Sequence, residues 1–272
     1  MKEFLELLFF RTDVPPLFGW FHIVSLILII TGCVFAGIYG KNFTDKGLRR
    51  FLFWTWIFLI IGEIYREFAF GIQSTDPISL SYPWFIFPFQ FCSSPLYALP
   101  FVIFLPEGRV RTAFMAFLTT FCFFGGAVVM IYPGDVFYTV LGVSIQAMTH
   151  HGAMAIVGIL MVSYNAKKLK PSFYLKGGIV YAGFVATAMV LNVVGYNLLR
   201  ANGIGDTFNL YYISPYFPTT LPILADIQQG GAPYPVVVLI YLATFITAAS
   251  IIATAEYFIT RAIQKRKAAK AA

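Results

Sequence analysis

Cys92, His150 and His151 are the residues of this chain whose types could carry covalent chemistry. A thiolate is a strong nucleophile, and an imidazole is well suited to take a thiol proton near neutral pH. Cys92 lies in "WFIFPFQFCSSPLYALPF", residues 84–101, with Gln90, Ser93 and Ser94 beside it. Pro88, Pro95 and Pro100 interrupt the same stretch. Each proline removes a backbone donor and disturbs a helix. One reading is a backbone opened around a single thiol. The other is a set of kinks that serve packing, with Cys92 a small apolar filler like Cys33 and Cys122.

The two histidines are neighbours, so on a helix they point about 100° apart and are not expected to share one task. His151 shares a stripe with Ser144, Ala147, Ala155 and Gly158. Small residues mark close helix packing, so His151 is the preferred base and His150 the alternative. Glu63, Arg66 and Glu67 fall three and four apart and share a helix face. They read as a buried ion pair or as a holder for a lipid phosphate. Asn192 and Asn197 read first as hydrogen-bonding links between helices. Gln90 or Asn192 could also donate to an oxyanion.

The elements that must position these groups are membrane spans. The chain has 272 residues, 59% of them hydrophobic and 11% charged. A soluble domain carries about 25% charged residues, so lipid is the expected solvent. Apolar runs long enough to cross a bilayer recur. They predict an all-α, polytopic single domain over residues 1–272, with seven transmembrane helices near 17–39, 49–72, 84–105, 112–131, 138–163, 174–199 and 234–259. A long outer loop is expected over 200–233 and a basic tail over 260–272. No cleavable secretory signal is expected over residues 1–14. No CxxC, HExxH, GxGxxG or Walker pattern occurs, so neither metal nor cofactor is expected.

Charge placement sets orientation. Of the nineteen Lys and Arg residues, fifteen fall on one side of such a topology. The positive-inside rule then puts the N-terminus outside and the C-terminus in the cytoplasm of an inner membrane. The net charge of +7 therefore belongs to short loops and the tail, and nucleic acid is not an expected partner. Counting depth from the outer side at roughly 1.5 Å per residue puts Cys92 about 12 Å deep and the histidines about 18–20 Å deep. The polar groups of the second and sixth spans share this band. A polar cavity open to the outer side, capped by the 200–233 loop, is the expectation.

The stretches "FPFQFCSSPLYALPF", "HHGAMAIVGILM", "NVVGYNLL" and "NLYYISP" resemble the YwaF-type bacterial integral membrane proteins. Those are similar to the transmembrane protein 164 acyltransferase family. The resemblance covers about residues 50–230 and implies a seven-helix fold with a Cys–His acyl-transfer site. It implies Cys92 as nucleophile, His150 or His151 as its partner, and Asn209 and Tyr212 near the site. Gln90 stands where a histidine is common in the bacterial pattern, and glutamine cannot act as a base.

The function expected is a lipid acyltransferase with catalytic Cys92 and His151 or His150. Gln90, Arg66, Glu63, Asn192, Asn197, Asn209 and Tyr212 are the expected substrate-binding groups, and membrane phospholipids are the substrates. A homo-oligomer is compatible with the sequence. A transporter or permease component, or a lipid-binding protein without catalysis, is the alternative, because broken helices around a midplane cavity also suit transport.

Overall fold

Hydropathy and proline placement shape the chain into nine α-helices among the described residues, which are 2–73 and 79–271 of a computed structural model. They are α1 (Lys2–Leu8), α2 (Trp20–Tyr39), α3 (Asp45–Gly71), α4 (Ser94–Phe104), α5 (Arg109–Ile131), α6 (Leu141–Tyr164), α7 (Pro171–Ala201), α8 (Leu224–Gln229) and α9 (Tyr234–Ala271). Five segments are helical, long and apolar enough to cross a membrane: Trp20–Asn42, Arg109–Ile131, Leu141–Tyr164, Pro171–Ala201 and Tyr234–Arg266. These make an all-α, multi-pass membrane protein.

The two other expected spans differ in character. Helix α3 has the length, 27 residues, but carries Glu63, Arg66 and Glu67 among its apolar residues. The stretch expected as a helix over 84–105 is not continuous. Residues 84–86 and 91–93 form 3-10 turns, Gln90 is extended, and α-helix begins only at Ser94, for 11 residues. Pro95 lies in the first turn of α4, where its missing N–H costs nothing.

Helix starts follow local chemistry. Thr44 precedes α3 and its hydroxyl accepts from the Gly47 N–H. Pro171 opens α7 with its φ already helical. A π-turn over Leu118–Cys122 lies within α5, where Thr119 and Thr120 donate to the carbonyls of Met115 and Ala116. Helix α6 is the centre of the bundle and touches α2, α3 and α5. It is buried along most of its length, from Val143 to Met161. Phe9, Val140 and Val143 pack the amino-terminal segment onto the end of α6, and Arg11 bridges Val140.

The long connection between α7 and α9 is not a loose lid. Phe208, Leu210, Tyr211 and Ile213 are all buried in the main core. The connection dips into the bundle and comes back out through α8.

Candidate active site

Carbonyls of the broken span are satisfied by side chains rather than by a helical ladder. A helix with a proline leaves the carbonyl four residues upstream without a donor. Pro100 does this to Leu96, and the Trp56 indole N–H donates to that oxygen at 2.8 Å. Ser94 Oγ donates to the Phe91 carbonyl at 2.7 Å. Tyr97 OH donates to the Pro88 carbonyl at 2.6 Å, and Arg66 to that of Ile86 at 2.8 Å. The Cys92 carbonyl takes its bond from His150, whose Nε2 lies 3.0 Å away. The irregular backbone is thus buried in protein, the condition under which a membrane tolerates it.

That bond fixes the tautomer of His150. A carbonyl only accepts, so Nε2 must carry the hydrogen. Nδ1 is then a free lone pair, and it is buried with no hydrogen-bond partner. His151 instead bonds back to the Ala147 carbonyl of its own helix, Nδ1 to oxygen 2.7 Å. The small-residue stripe expected to aim His151 at the bundle does pack tightly. A Cβ on Gly126 of α5 would sit 2.5 Å from the His151 carbonyl and 2.7 Å from the Ala155 nitrogen. That contact is made by the α6 backbone, and it leaves His150 as the histidine bonded to the Cys92 residue. His22 is fully buried and satisfied on both nitrogens, by the Phe18 N–H and the Met130 carbonyl.

Three amides hold the 209–214 turn from both ends. Asn192 donates to the Leu210 carbonyl at 3.0 Å and accepts from the Leu210 N–H at 2.8 Å. Gln90 donates to the Asn209 carbonyl at 3.2 Å and accepts from the Tyr211 N–H at 2.8 Å. Asn209 donates to the Pro218 carbonyl and accepts from the Ser214 N–H. The turn needs this hold, because Tyr211 and Tyr212 both sit at positive φ, 56° and 57°. Left-handed backbone in a non-glycine residue costs roughly 1–3 kcal/mol and persists where the surroundings over-determine it. Gln90 and Asn192 therefore act on the turn with both ends of each amide, and Asn209 ties it to Pro218.

The turn delivers Tyr211, a residue the sequence reading passed over in favour of Tyr212. Tyr211 is 1% exposed and its ring packs against both Phe89 and Phe91. Its hydroxyl lies near Ser94 but makes no hydrogen bond of ordinary distance and angle. Tyr212 is 40% exposed. The only sequence signal for Tyr211 is its place in "NLYYISP"; the positive φ that turns it inward has no residue signature.

Arg66 binds Glu63 and Glu67 through one nitrogen, at 2.5 and 3.1 Å, and its Nε is buried without a partner. It lies within electrostatic reach of Cys92 and of His150. Asn197 is exposed on α7 and bonds the Val193 carbonyl of its own helix, away from this cluster. Asp206 caps the start of the broken span by accepting from the Trp84 N–H at 3.3 Å.

Four buried polar atoms on the segments that meet around residue 92 lack a hydrogen bond of ordinary distance and angle: His150 Nδ1, Ser93 Oγ, Tyr211 OH and Arg66 Nε. Buried polar groups are ordinarily hydrogen-bonded, so such a cluster needs an explanation. An open cavity at Cys92 was expected from the sequence. Cavities lie instead at Glu67, Phe68, Gly71, Leu80 and Tyr82, of about 290 Å³, and between α5 and α7, of about 270 Å³.

Fold and site define a multi-pass helical membrane protein in which an imidazole bonds the main chain of a cysteine at a broken span. The chain belongs to the TMEM164 family, whose family model matches residues 17–254. No curated protein and no solved structure shows a significant match.

Proposed function

We propose that this protein transfers fatty acyl chains between membrane lipids, with Cys92 as nucleophile and His150 as base. The observation that supports this is the bond from His150 Nε2 to the Cys92 carbonyl, which brings the imidazole to the thiol-bearing residue and leaves Nδ1 with its lone pair. The thiol proton passes to Nδ1 and the sulfur attacks the ester carbonyl of a phospholipid. The ester C–O bond breaks, the leaving lysolipid oxygen takes the proton from His150, and an acyl thioester remains on Cys92. An acceptor hydroxyl then gives its proton to His150 as its oxygen attacks the thioester. The C–S bond breaks and His150 returns the proton to sulfur.

The oxyanion of each tetrahedral intermediate needs donors that are in place beforehand. The hydroxyls of Ser93 and Tyr211 suit this, and the buried Nε of Arg66 suits the phosphate of a lipid substrate. Gln90, Asn192 and Asn209 serve substrate through the Tyr211 turn.

In this reading α3 and the broken 84–104 segment complete seven crossings. The N-terminus lies outside and the C-terminus in the cytoplasm, and the protein resides in the inner membrane. The basic ends of the spans support that orientation.

Purified protein incubated with a diacyl phospholipid tests the reading. A mass increase of one acyl chain on Cys92, absent from Cys92→Ala, is the expected result. Undiminished lipid remodelling by purified Cys92→Ala sinks it.

A further inference from the structure

The cavity of about 270 Å³ between α5 and α7 is lined by Glu107, Gly108, Arg109, Arg111, Thr112, Met115, Lys168 and Lys176. Its walls are brought together by two packing contacts. Gly177 of α7 lies on the backbone of α5, where a Cβ would come within 2.8 Å of the Ala116 carbonyl carbon. Thr112 and Arg109 lie one and two turns before Ala116 on the same face, so Lys176 is placed beside them. Leu169, 2% exposed, packs with Ala116 and Phe173 and so anchors Lys168 at the same rim.

The charges in this cavity do not cancel. Arg111 is 3% exposed and spends its charge on Asp45 and its Nε on the Val102 carbonyl. Among the described residues, Arg109, Lys168 and Lys176 form no ion pair within 4.0 Å. One carboxylate, Glu107, faces those three cations. The Thr112 hydroxyl donates to the Gly108 carbonyl, so its oxygen still has capacity to accept. Three cations without an ion pair thus line one concave site against a single carboxylate.

We propose that this cavity binds a phosphate group, carried by an anionic lipid headgroup or free in solution. Lys and Arg are the side chains that hold phosphate, Arg through its planar fork and Lys as a point charge. The site lies at the basic end of the bundle, which faces an anionic leaflet in the orientation inferred above. It is separate from Cys92 and holds or fails independently of acyl transfer.

The test uses full-length protein in neutral detergent with dioleoyl phosphatidylglycerol as probe, read by native mass spectrometry. Wild type is compared with the triple variant R109Q/K168Q/K176Q and with a tail variant of equal charge loss, R261Q/K265Q/R266Q. The pocket variant should lose retention about a hundredfold, and the tail variant should keep it. Lys176→Gln alone should lose part of it and Lys176→Arg restore it, which separates binding from folding. Competition by inorganic phosphate marks a free-phosphate site, and retention in its presence marks a lipid headgroup. Equal losses in the pocket and tail variants, or none in either, overturn the proposal, because the effect would then be diffuse surface charge.

Discussion

His150 Nε2 lies 3.0 Å from the main-chain oxygen of Cys92, 58 residues away in sequence. The bond does two things at once. It satisfies a carbonyl in the broken span, and it forces the hydrogen onto Nε2 so that Nδ1 keeps its lone pair. The histidine is therefore oriented by the residue that carries the proposed nucleophile.

Replacing His150 should separate it from its neighbour. His150→Gln can still donate to the Cys92 carbonyl but cannot take a proton, so acyl transfer should fall by about 10²–10⁴ with folding retained. His151→Gln keeps the His150 contact and should lose less than about tenfold. Lipid remodelling by the two purified variants decides this, and a greater loss in the His151 variant would move the base to that residue.

Tyr211→Phe removes one hydroxyl and leaves the ring packed on Phe89 and Phe91. If that hydroxyl stabilises an oxyanion, the acylation rate should fall by about 10²–10³ while the melting temperature stays near wild type. An unchanged rate of acyl-adduct formation rules the role out.

The amide clamp should be visible as stability. Gln90→Leu leaves the Tyr211 N–H and the Asn209 carbonyl without their partner, at a cost of about 1–3 kcal/mol for each buried group left unpaired. Asn192→Leu should do the same at Leu210. Thermal unfolding in detergent gives the measurement. Faster labelling of Cys92 by a lipophilic maleimide should accompany it as the turn loosens. Unaltered melting in both variants would count against the clamp.

Gly126→Ala inserts a methyl group where α5 meets the backbone of His151 and Ala155. Overpacking of this kind costs about 1–3 kcal/mol, more than the roughly 1 kcal/mol that alanine returns as a better helix former. Melting temperature should drop. Acyl transfer should drop with it, because α6 carries His150.

At the basic end of the bundle Asp45 supplies a pH effect. Burial alone would raise its carboxyl, but hydrogen bonds from Arg49 and Arg111 outweigh that and hold it below the usual carboxylate range. A depressed folded value contributes stability that is present above the unfolded pKa of about 3.9 and lost as pH falls through the folded value. Asp45→Asn should therefore lower the melting temperature near pH 7, and the difference from wild type should shrink toward pH 3. A difference that stays constant with pH would mean the carboxylate charge is not what matters.

The sequence by itself determined that this is a helical membrane protein, because long apolar runs leave no other solvent for those side chains. It also marked the break around Cys92, because three prolines cannot make a regular helical ladder, and it marked Glu63, Arg66 and Glu67 as one face of a helix. It did not show that the third span shrinks to α4, because side chains as distant as Trp56 and His150 replace the missing backbone donors. It favoured His151 over His150 on the small-residue stripe, whereas the bond to the Cys92 carbonyl is made by His150. Their faces differ by one step around a helix, and the rotation of α6 is set by its contact with Gly126. Gln90, Asn192 and Asn209 were readable as polar groups at the right depth. Their task was not, since it depends on a left-handed turn that only tertiary contacts stabilise, and that turn buries Tyr211 against Phe89 and Phe91 while Tyr212 stays partly exposed.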